Sequence, residues 1–266
     1  MTHTMKRLIV SFLFLGFFSL PVFAAVQTQE IQYKVADTTL KGYLAYDDSI
    51  KDQRPGILVV HEWWGNNEYA HRRARMLAEL GYVAFALDMY GDGKVAQHPK
   101  EASAFVQEVS QNQETAKARF LAGLGVLKNF RLTDPARIAA IGYCFGGGVV
   151  LNMAMDGLDL KGVVSFHGSV APPVQELQPG QVKAKILVCH GTADQFVTPE
   201  QMAAFKQALD KAGADYQVLT YEGAKHGFTN PDADELAGKF DLPIAYNASA
   251  DQKSWQDMQK FLKKNF

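Results

Sequence analysis

The stretch Gly142-Tyr143-Cys144-Phe145-Gly146-Gly147-Gly148 decides the fold of this 266-residue chain. The apolar run at 137–143 predicts a buried strand, and residues 144–155 predict a helix. A strand that turns straight into a helix exposes the side chain at the turn, and the flanking glycines let the two elements pack closely. The Cys144 thiol would then lie at a helix N-terminus, whose dipole favours a thiolate, and the Phe145 backbone N–H would face a developing oxyanion. Taken alone, the motif also fits an inert core cysteine.

Strands and helices alternate on both sides of this motif. The pattern predicts an α/β fold with a mostly parallel central sheet and helices on both faces. Strands are predicted at 31–36, 39–46, 57–60, 82–87, 137–143, 162–166, 185–189 and 216–221, and helices at 68–80, 99–129 (as two), 144–155, 199–212 and 249–262. Segment 230–247 is interpreted as a long polar loop that either shapes a pocket entrance or only connects two elements. Ligands bind at the carboxyl ends of parallel strands, so the site is expected where the strands ending near 60, 143, 166 and 189 meet.

Two later loops supply partners for the thiol. Asp194 follows the strand at 185–189, and His226 follows the last strand in a glycine-flanked loop. The order nucleophile, acid, histidine is that of hydrolases built on such a sheet. We therefore predict that His226 deprotonates Cys144 and later activates water, while Asp194 holds the imidazole in the required tautomer. The alternatives are a turn or capping role for Asp194 and a surface position for His226.

A fourth motif, His61-Glu62-Trp63-Trp64-Gly65, follows the strand at 57–60. In a fold of this kind that loop gives the second oxyanion donor, which we assign to the backbone N–H of Trp63. An apolar pocket is expected beside it, lined by Trp64 and by Phe228 of the histidine loop. A zinc site is rejected, because the zinc-protease motif needs a second histidine where Gly65 stands, and a helix where this chain has a strand end. His167 and His190, which also end strands, are interpreted as structural hydrogen-bonding residues.

These motifs resemble the dienelactone hydrolase family, a branch of the α/β-hydrolases, over nearly all of the chain after residue 24. The resemblance implies the α/β-hydrolase fold and a catalytic triad of Cys144, Asp194 and His226. It further implies that Glu62 contacts the resting thiol and helps to deprotonate it when substrate binds. The residues alone show only that Glu62 ends a strand near the cysteine.

The substrate-binding residues of that family are not all present. Members that act on dienelactone hold its carboxylate with arginines, one of them four residues after the catalytic histidine. Asn230 occupies that position here, and Arg119 is the one candidate for the other arginine. The carboxylate clamp is therefore expected to be missing.

The reaction predicted from the motifs is hydrolysis of a small carboxylic ester or lactone through a thioester on Cys144, with no cofactor and no metal. The alternative is a non-catalytic small-molecule binding protein on a hydrolase scaffold, which an intact triad argues against. A thiol redox protein is a third hypothesis, but the chain has no Cys-x-x-Cys pair. The second cysteine, Cys189, lies in an apolar strand and is interpreted as a small buried hydrophobe. Loss of activity with iodoacetamide separates the first hypothesis from the second, and a reversible Cys144–Cys189 disulfide would favour the third.

The N-terminus carries the pattern of a secretory signal peptide. Lys6 and Arg7 precede an apolar run at 8–20 that is short for a membrane span, and cleavage is predicted after Ala24. An uncleaved anchor is the alternative. We expect a signal peptide at 1–24, one domain at 25–266, and a secreted or periplasmic enzyme, without a membrane attachment after cleavage.

The remaining 25 basic and 28 acidic side chains form no basic patch, which argues for a small-molecule substrate over nucleic acid. A monomer is the favoured state.

Overall fold

The computed structural model describes residues 26–170 and 176–266, so the predicted signal peptide lies outside the described residues. The described chain begins with three strands, and helices and strands follow one another from α1 onward. The strands are β1 (Val26–Val35), β2 (Thr38–Asp47), β3 (Arg54–Val60), β4 (Val83–Leu87), β5 (Thr133–Tyr143), β6 (Gly162–Phe166), β7 (Lys185–Gly191) and β8 (Tyr216–Tyr221). The helices are α1 (Glu68–Glu79), α2 (Pro99–Ser110), α3 (Gln113–Asn129), α4 (Phe145–Met155), α5 (Pro199–Ala212), α6 (Ala233–Phe240) and α7 (Ala248–Asn265).

The eight strands form one sheet in the order β1-β2-β4-β3-β5-β6-β7-β8. β1 and β2 form an antiparallel hairpin at one edge, β2 pairs antiparallel with β4, and the strands from β4 to β8 are parallel to one another. The chain leaves β3 toward β4 and returns to β5 on the other side, so the strand order reverses at β3. Such a reversal opens a crevice at the carboxyl ends of the two strands, and here it lies between the Glu62 loop and Cys144.

Both faces of the sheet are buried. One apolar cluster joins side chains of β3, β4, β5, β6 and β7 to helices α2, α3, α4 and α5, and a second cluster joins the opposite face to α1 and α7. Burying a large side chain from either cluster stabilises the fold by roughly 1.5–3 kcal/mol. The predicted α/β-hydrolase architecture, a mostly parallel sheet with helices on both faces, is therefore confirmed. In the part of the chain that the structure describes, no helix combines the length and apolar character needed to cross a bilayer.

The interpretation of 230–247 as an irregular loop is wrong, because helix α6 occupies Ala233–Phe240. Acidic residues fill its first turn, which the helix dipole favours, and Asp241 ends it in a left-handed conformation with φ of 53°. Its apolar side chains, Leu236 and Phe240, pack on a small cluster around Trp64. An eight-residue helix shows too few turns for its period to stand out in the sequence, and a helix this short depends on tertiary packing for its stability.

Candidate active site

The turn that presents Cys144 is strained and closely packed. Cys144 has φ of 53° and ψ of −116°, a conformation that costs a residue with a side chain about 1–3 kcal/mol. Its backbone N–H donates to the Phe166 carbonyl at 3.0 Å, which ties the turn to β6. A Cβ atom at Gly142 would lie 2.0 Å from the Gly146 carbonyl oxygen, and one at Gly146 would lie 2.3 Å from that of Val60. Both positions therefore require glycine.

Two backbone N–H groups lie on the loops that follow β3 and β5. Among the described residues, the N–H groups of Phe145 and Trp63 have no hydrogen-bond acceptor. The loops meet because the Gly146 N–H donates to the His61 carbonyl at 3.1 Å. Unpaired, fixed donors beside a nucleophile are what an oxyanion hole requires. The structure thus leaves both predicted donors available for that role.

Asp194 and His226 come together as the sequence order predicts. His226 Nδ1 lies 2.9 Å from Asp194 Oδ2, and both side chains are largely buried. The other carboxylate oxygen of Asp194 accepts the Phe196 backbone N–H at 2.8 Å. The carboxylate is therefore held by one bond while it orients the imidazole with the other. Phe196 lies over the imidazole with ring centroids 4.6 Å apart, and it is half exposed to solvent.

Cys144 and Asp194 together determine the pKa of His226. Burial lowers this pKa, but the proximity of Cys144 and the hydrogen bond to Asp194 overcome that effect and raise it to about 10. An imidazole with this pKa is protonated at neutral pH whenever its partner is a thiolate. The three side chains can therefore hold a thiolate–imidazolium pair oriented by a carboxylate.

Glu62 contacts the loop that carries the histidine. Its Oε2 accepts a hydrogen bond from Asn230 Nδ2 at 2.7 Å, and the Asn230 Oδ1 accepts the Asp232 backbone N–H at 3.0 Å, which fixes the orientation of the amide. Burial raises the pKa of Glu62 to about 7, against the lowering effects of Asn230 and of the nearby His226. The Glu62 carboxyl group thus changes its protonation near neutral pH. Its contact with the Cys144 thiol, implied by the family resemblance, stays a prediction.

Two residues that support the Glu62 loop, His61 of the motif itself and Tyr90, were given no role from the sequence. His61 is fully buried, with Nδ1 2.6 Å from the Glu62 carbonyl oxygen and Nε2 accepting the Met89 N–H at 3.2 Å. The Tyr90 hydroxyl donates to the Trp63 carbonyl at 3.0 Å, and its ring packs on His61. Both residues follow adjacent parallel strands, β3 and β4, so the rule that directed attention to strand ends would also have found Tyr90.

The predicted pocket walls need correction. Phe228 is fully buried and packs on Tyr221 and His167, so it anchors the histidine loop to the sheet and does not line a pocket. Trp64 is also buried, against Phe240 of α6, which leaves the partly exposed Trp63 as the tryptophan that a substrate can reach. The sequence motif does not say which of the two adjacent tryptophan side chains is buried.

His167 and the second cysteine, Cys189, lie in the core, where their contacts are structural. His167 is buried with Nε2 2.7 Å from Thr229 Oγ1, and burial together with the charge of His226 holds its pKa well below the usual range. Cys189 is a free, buried thiol in β7, and burial raises its pKa to about 12. Cys144 is free as well. Within residues 26–170 and 176–266, no group of three or more histidine, cysteine, aspartate or glutamate side chains is placed to hold a metal ion.

Comparison with known proteins identifies the family. A model of the dienelactone hydrolase family matches residues 40–266. The chain belongs to this family. Membership places the protein among the hydrolases of carboxylic esters, and it confirms the resemblance drawn from the Cys144, Glu62, Asp194 and His226 motifs.

Individual relatives agree with this assignment. A dienelactone hydrolase-like promiscuous phosphotriesterase from metagenomic libraries is 33% identical, with a TM-score of 0.86 over 91% of this chain and 99% of that one. Protein usf of Aquifex pyrophilus is 28% identical over 78% of this chain and 90% of its own length. A protein of Aquifex aeolicus provisionally named carboxymethylenebutenolidase is 26% identical over the same shares of the two chains.

Proposed function

We propose that this dienelactone hydrolase-like enzyme cleaves esters or lactones of small, uncharged molecules through a thioester on Cys144. The observation that carries the proposal is the His226–Asp194 pair, joined at 2.9 Å, in a fold whose strained turn presents the Cys144 thiol. Acyl transfer requires a nucleophile, a base that exchanges protons with it and a carboxylate that orients the base.

In the first half of the proposed reaction, the Cys144 thiolate attacks the carbonyl carbon, and the π electrons move to the carbonyl oxygen. The oxyanion accepts hydrogen bonds from the N–H groups of Phe145 and Trp63. When the intermediate collapses, the C–O bond to the leaving alcohol breaks and protonated His226 gives that oxygen its proton. The product is a thioester on Cys144, and for a lactone the alcohol stays attached to the acyl group.

In the second half, His226 removes a proton from water as the water oxygen attacks the thioester carbon. The new tetrahedral intermediate is held by the same two N–H groups. Its collapse breaks the C–S bond, releases the carboxylic acid and restores the thiolate beside protonated His226. Neither half requires a cofactor or a metal ion.

A binding protein without turnover is the alternative that the site argues against. The φ of 53° at Cys144 costs free energy, and so does the burial of Asp194, His226 and Glu62. A scaffold that only binds a ligand gains nothing from a strained thiol or from an oriented imidazole. These costs are explained when the groups act on a reacting carbonyl.

The thioester can be trapped directly. We expect acid-quenched enzyme, mixed for milliseconds with a slight excess of p-nitrophenyl butyrate, to gain the mass of one butyryl group, lost on treatment with hydroxylamine. Peptide mapping should place the group on the Cys144 peptide, while the Cys189 peptide serves as the internal control because its thiol is buried. Turnover of the ester with acyl groups found only on other residues would refute the cysteine mechanism.

The surroundings of Glu62 favour an uncharged substrate. Within the described residues, the hydrogen-bond donor to its carboxylate is the neutral amide of Asn230, so a substrate carboxylate entering the site would meet a second carboxylate that is not directly paired with a cationic side chain. Arg119 does not supply one, because its Nη1 donates to the Met89 carbonyl at 2.7 Å and its Nη2 lies 3.7 Å from Glu108. The contacts of Asn230 and Arg119 therefore support the expectation that neither residue binds a substrate carboxylate.

Charge discrimination is testable with matched esters. At pH 8 and low salt, we expect kcat/KM for p-nitrophenyl butyrate to exceed that for mono-p-nitrophenyl succinate by roughly tenfold or more, since an ionised Glu62 repels the succinate carboxylate. Added salt and the Glu62→Gln variant should both narrow this ratio, whatever they do to the absolute rates. Equal kcat/KM values for the two esters in the wild-type enzyme would contradict an uncharged substrate class.

A further inference from the structure

Arg73 is a buried cation for which the proposed reaction gives no use. It lies in α1, is only 3% exposed, and pairs with Asp251 of α7, with Nη2 2.6 Å from Oδ1. Three aromatic rings surround the guanidinium, those of Tyr69, Tyr143 and Trp255, at 5.3–5.5 Å from its carbon. Buried ion pairs seldom add stability over apolar residues of the same size, because removing two charges from water is costly. A specific geometric role would explain why this pair is present.

The contacts of Arg73 lead to the turn that carries the histidine. Its Nη2 also donates to the Thr229 carbonyl at 2.6 Å. Its Nε donates to the Tyr69 hydroxyl at 3.3 Å, and that hydroxyl lies 2.6 Å from Thr229 Oγ1. Because Arg Nε–H is always a donor, the Tyr69 oxygen accepts from it, and the Tyr69 hydroxyl in turn shares a hydrogen bond with Thr229. Arg73 therefore holds both the backbone and the side chain of Thr229.

Thr229 lies in the chain between His226 and Asn230, the two residues of the turn that contact Asp194 and Glu62. His226 precedes it by three residues, and Asn230, the hydrogen-bond donor to Glu62, follows it directly. Two backbone hydrogen bonds from the segment before α7 also support this turn: Ala245 N–H to the His226 carbonyl at 3.2 Å and Asn247 N–H to the Phe228 carbonyl at 3.0 Å. Arg73 supplies the only charged donor to the turn among the described residues.

We propose that Arg73 is a positioning residue for ester hydrolysis, which holds the 226–230 turn so that His226 and Asn230 keep their places relative to Cys144 and Glu62. It touches neither the substrate nor the reacting atoms. Displacing a base by about 1 Å can lower a rate by about 100-fold. A loosened turn should therefore slow the chemical step and leave substrate binding largely intact. This inference rests on the proposed function, because its readout is ester turnover.

The test compares three variants of α1 with p-nitrophenyl butyrate as substrate. We expect Arg73→Met, which keeps an apolar stem of similar length in the aromatic cage, to lower kcat by roughly tenfold to 100-fold with KM changed less than about threefold. Arg73→Lys should be intermediate, because an ammonium keeps the charge beside Asp251 but cannot serve all three oxygen acceptors. Arg75→Met, from the same helix and outside this network, should match the wild type.

Thr229→Val keeps the test decisive if Arg73→Met does not fold. It removes only the hydroxyl that Tyr69 and His167 contact, in a side chain of the same shape, and should lower kcat more than KM. An unchanged kcat in folded Arg73→Met or in Thr229→Val, with only the melting temperature lowered, would overturn the positioning role. An inactive wild-type enzyme would instead count against the proposed function, so the two failures are distinct.

Discussion

Replacing Cys144 by alanine is expected to lower kcat for p-nitrophenyl butyrate by on the order of 10⁴- to 10⁶-fold. The variant keeps the oxyanion donors and the His226–Asp194 pair, but no atom remains to form the acyl bond. Alanine is as strained as cysteine at φ of 53°, so the turn should fold with similar stability. The measurement is initial velocity over a range of ester concentrations, accompanied by thermal unfolding of both proteins.

Cys189→Ala is the matched control for this experiment. It removes a thiol of the same size from the same sheet, in a buried position where the loss costs folding free energy of about 1 kcal/mol. Since Cys189 contacts the Tyr221 hydroxyl and no residue of the triad, its activity should stay within about twofold of the wild type. A Cys144→Ala enzyme with near wild-type kcat would show that another residue attacks the ester, and the thioester mechanism would be abandoned.

The part of the site that the sequence could predict is the part set by local rules. The glycines around Cys144 are required by contacts within two residues of the turn and across to β3, and such contacts recur wherever a strand turns sharply into a helix. Asp194 and His226 follow from strand order, because the carboxyl ends of parallel strands lie on one edge of the sheet. Neither inference needed the packing of one loop against another.

The missed features depend on which loops pack together. Helix α6 packs through Leu236 and Phe240 on the cluster around Trp64, which lies 172 residues before Leu236 in the chain. The hydrogen bond from Asn230 to Glu62 likewise joins loops 168 residues apart. Phe228 was assigned to a pocket because it follows His226 closely, yet the turn directs it into the core. No local pattern encodes any of these three contacts.

Changing Asp194 to asparagine should produce the second large loss, of roughly 10²- to 10⁴-fold in kcat. The Phe196 N–H donates to Oδ1 at 2.8 Å, so an asparagine would keep its carbonyl oxygen there and turn its NH₂ group toward His226. Nδ1 must then accept a hydrogen bond, which places the ring proton on the nitrogen that should receive the proton of water. The variant removes a charge as well, so a protonated imidazole would lose its stabilising partner.

The size of the Asp194→Asn effect distinguishes orientation of the imidazole from simple support of the loop. An orienting carboxylate predicts a fall in kcat with a nearly wild-type melting temperature, because the asparagine preserves the bond to Phe196. It also predicts a weaker thiolate–imidazolium pair, seen as slower alkylation of Cys144 by iodoacetamide near pH 7, since Asp194 helps to raise the pKa of His226. Loss of stability without loss of kcat or of alkylation rate would mean that Asp194 only caps its loop. The triad would then reduce to Cys144 and His226, with the histidine oriented by the Arg73-held turn.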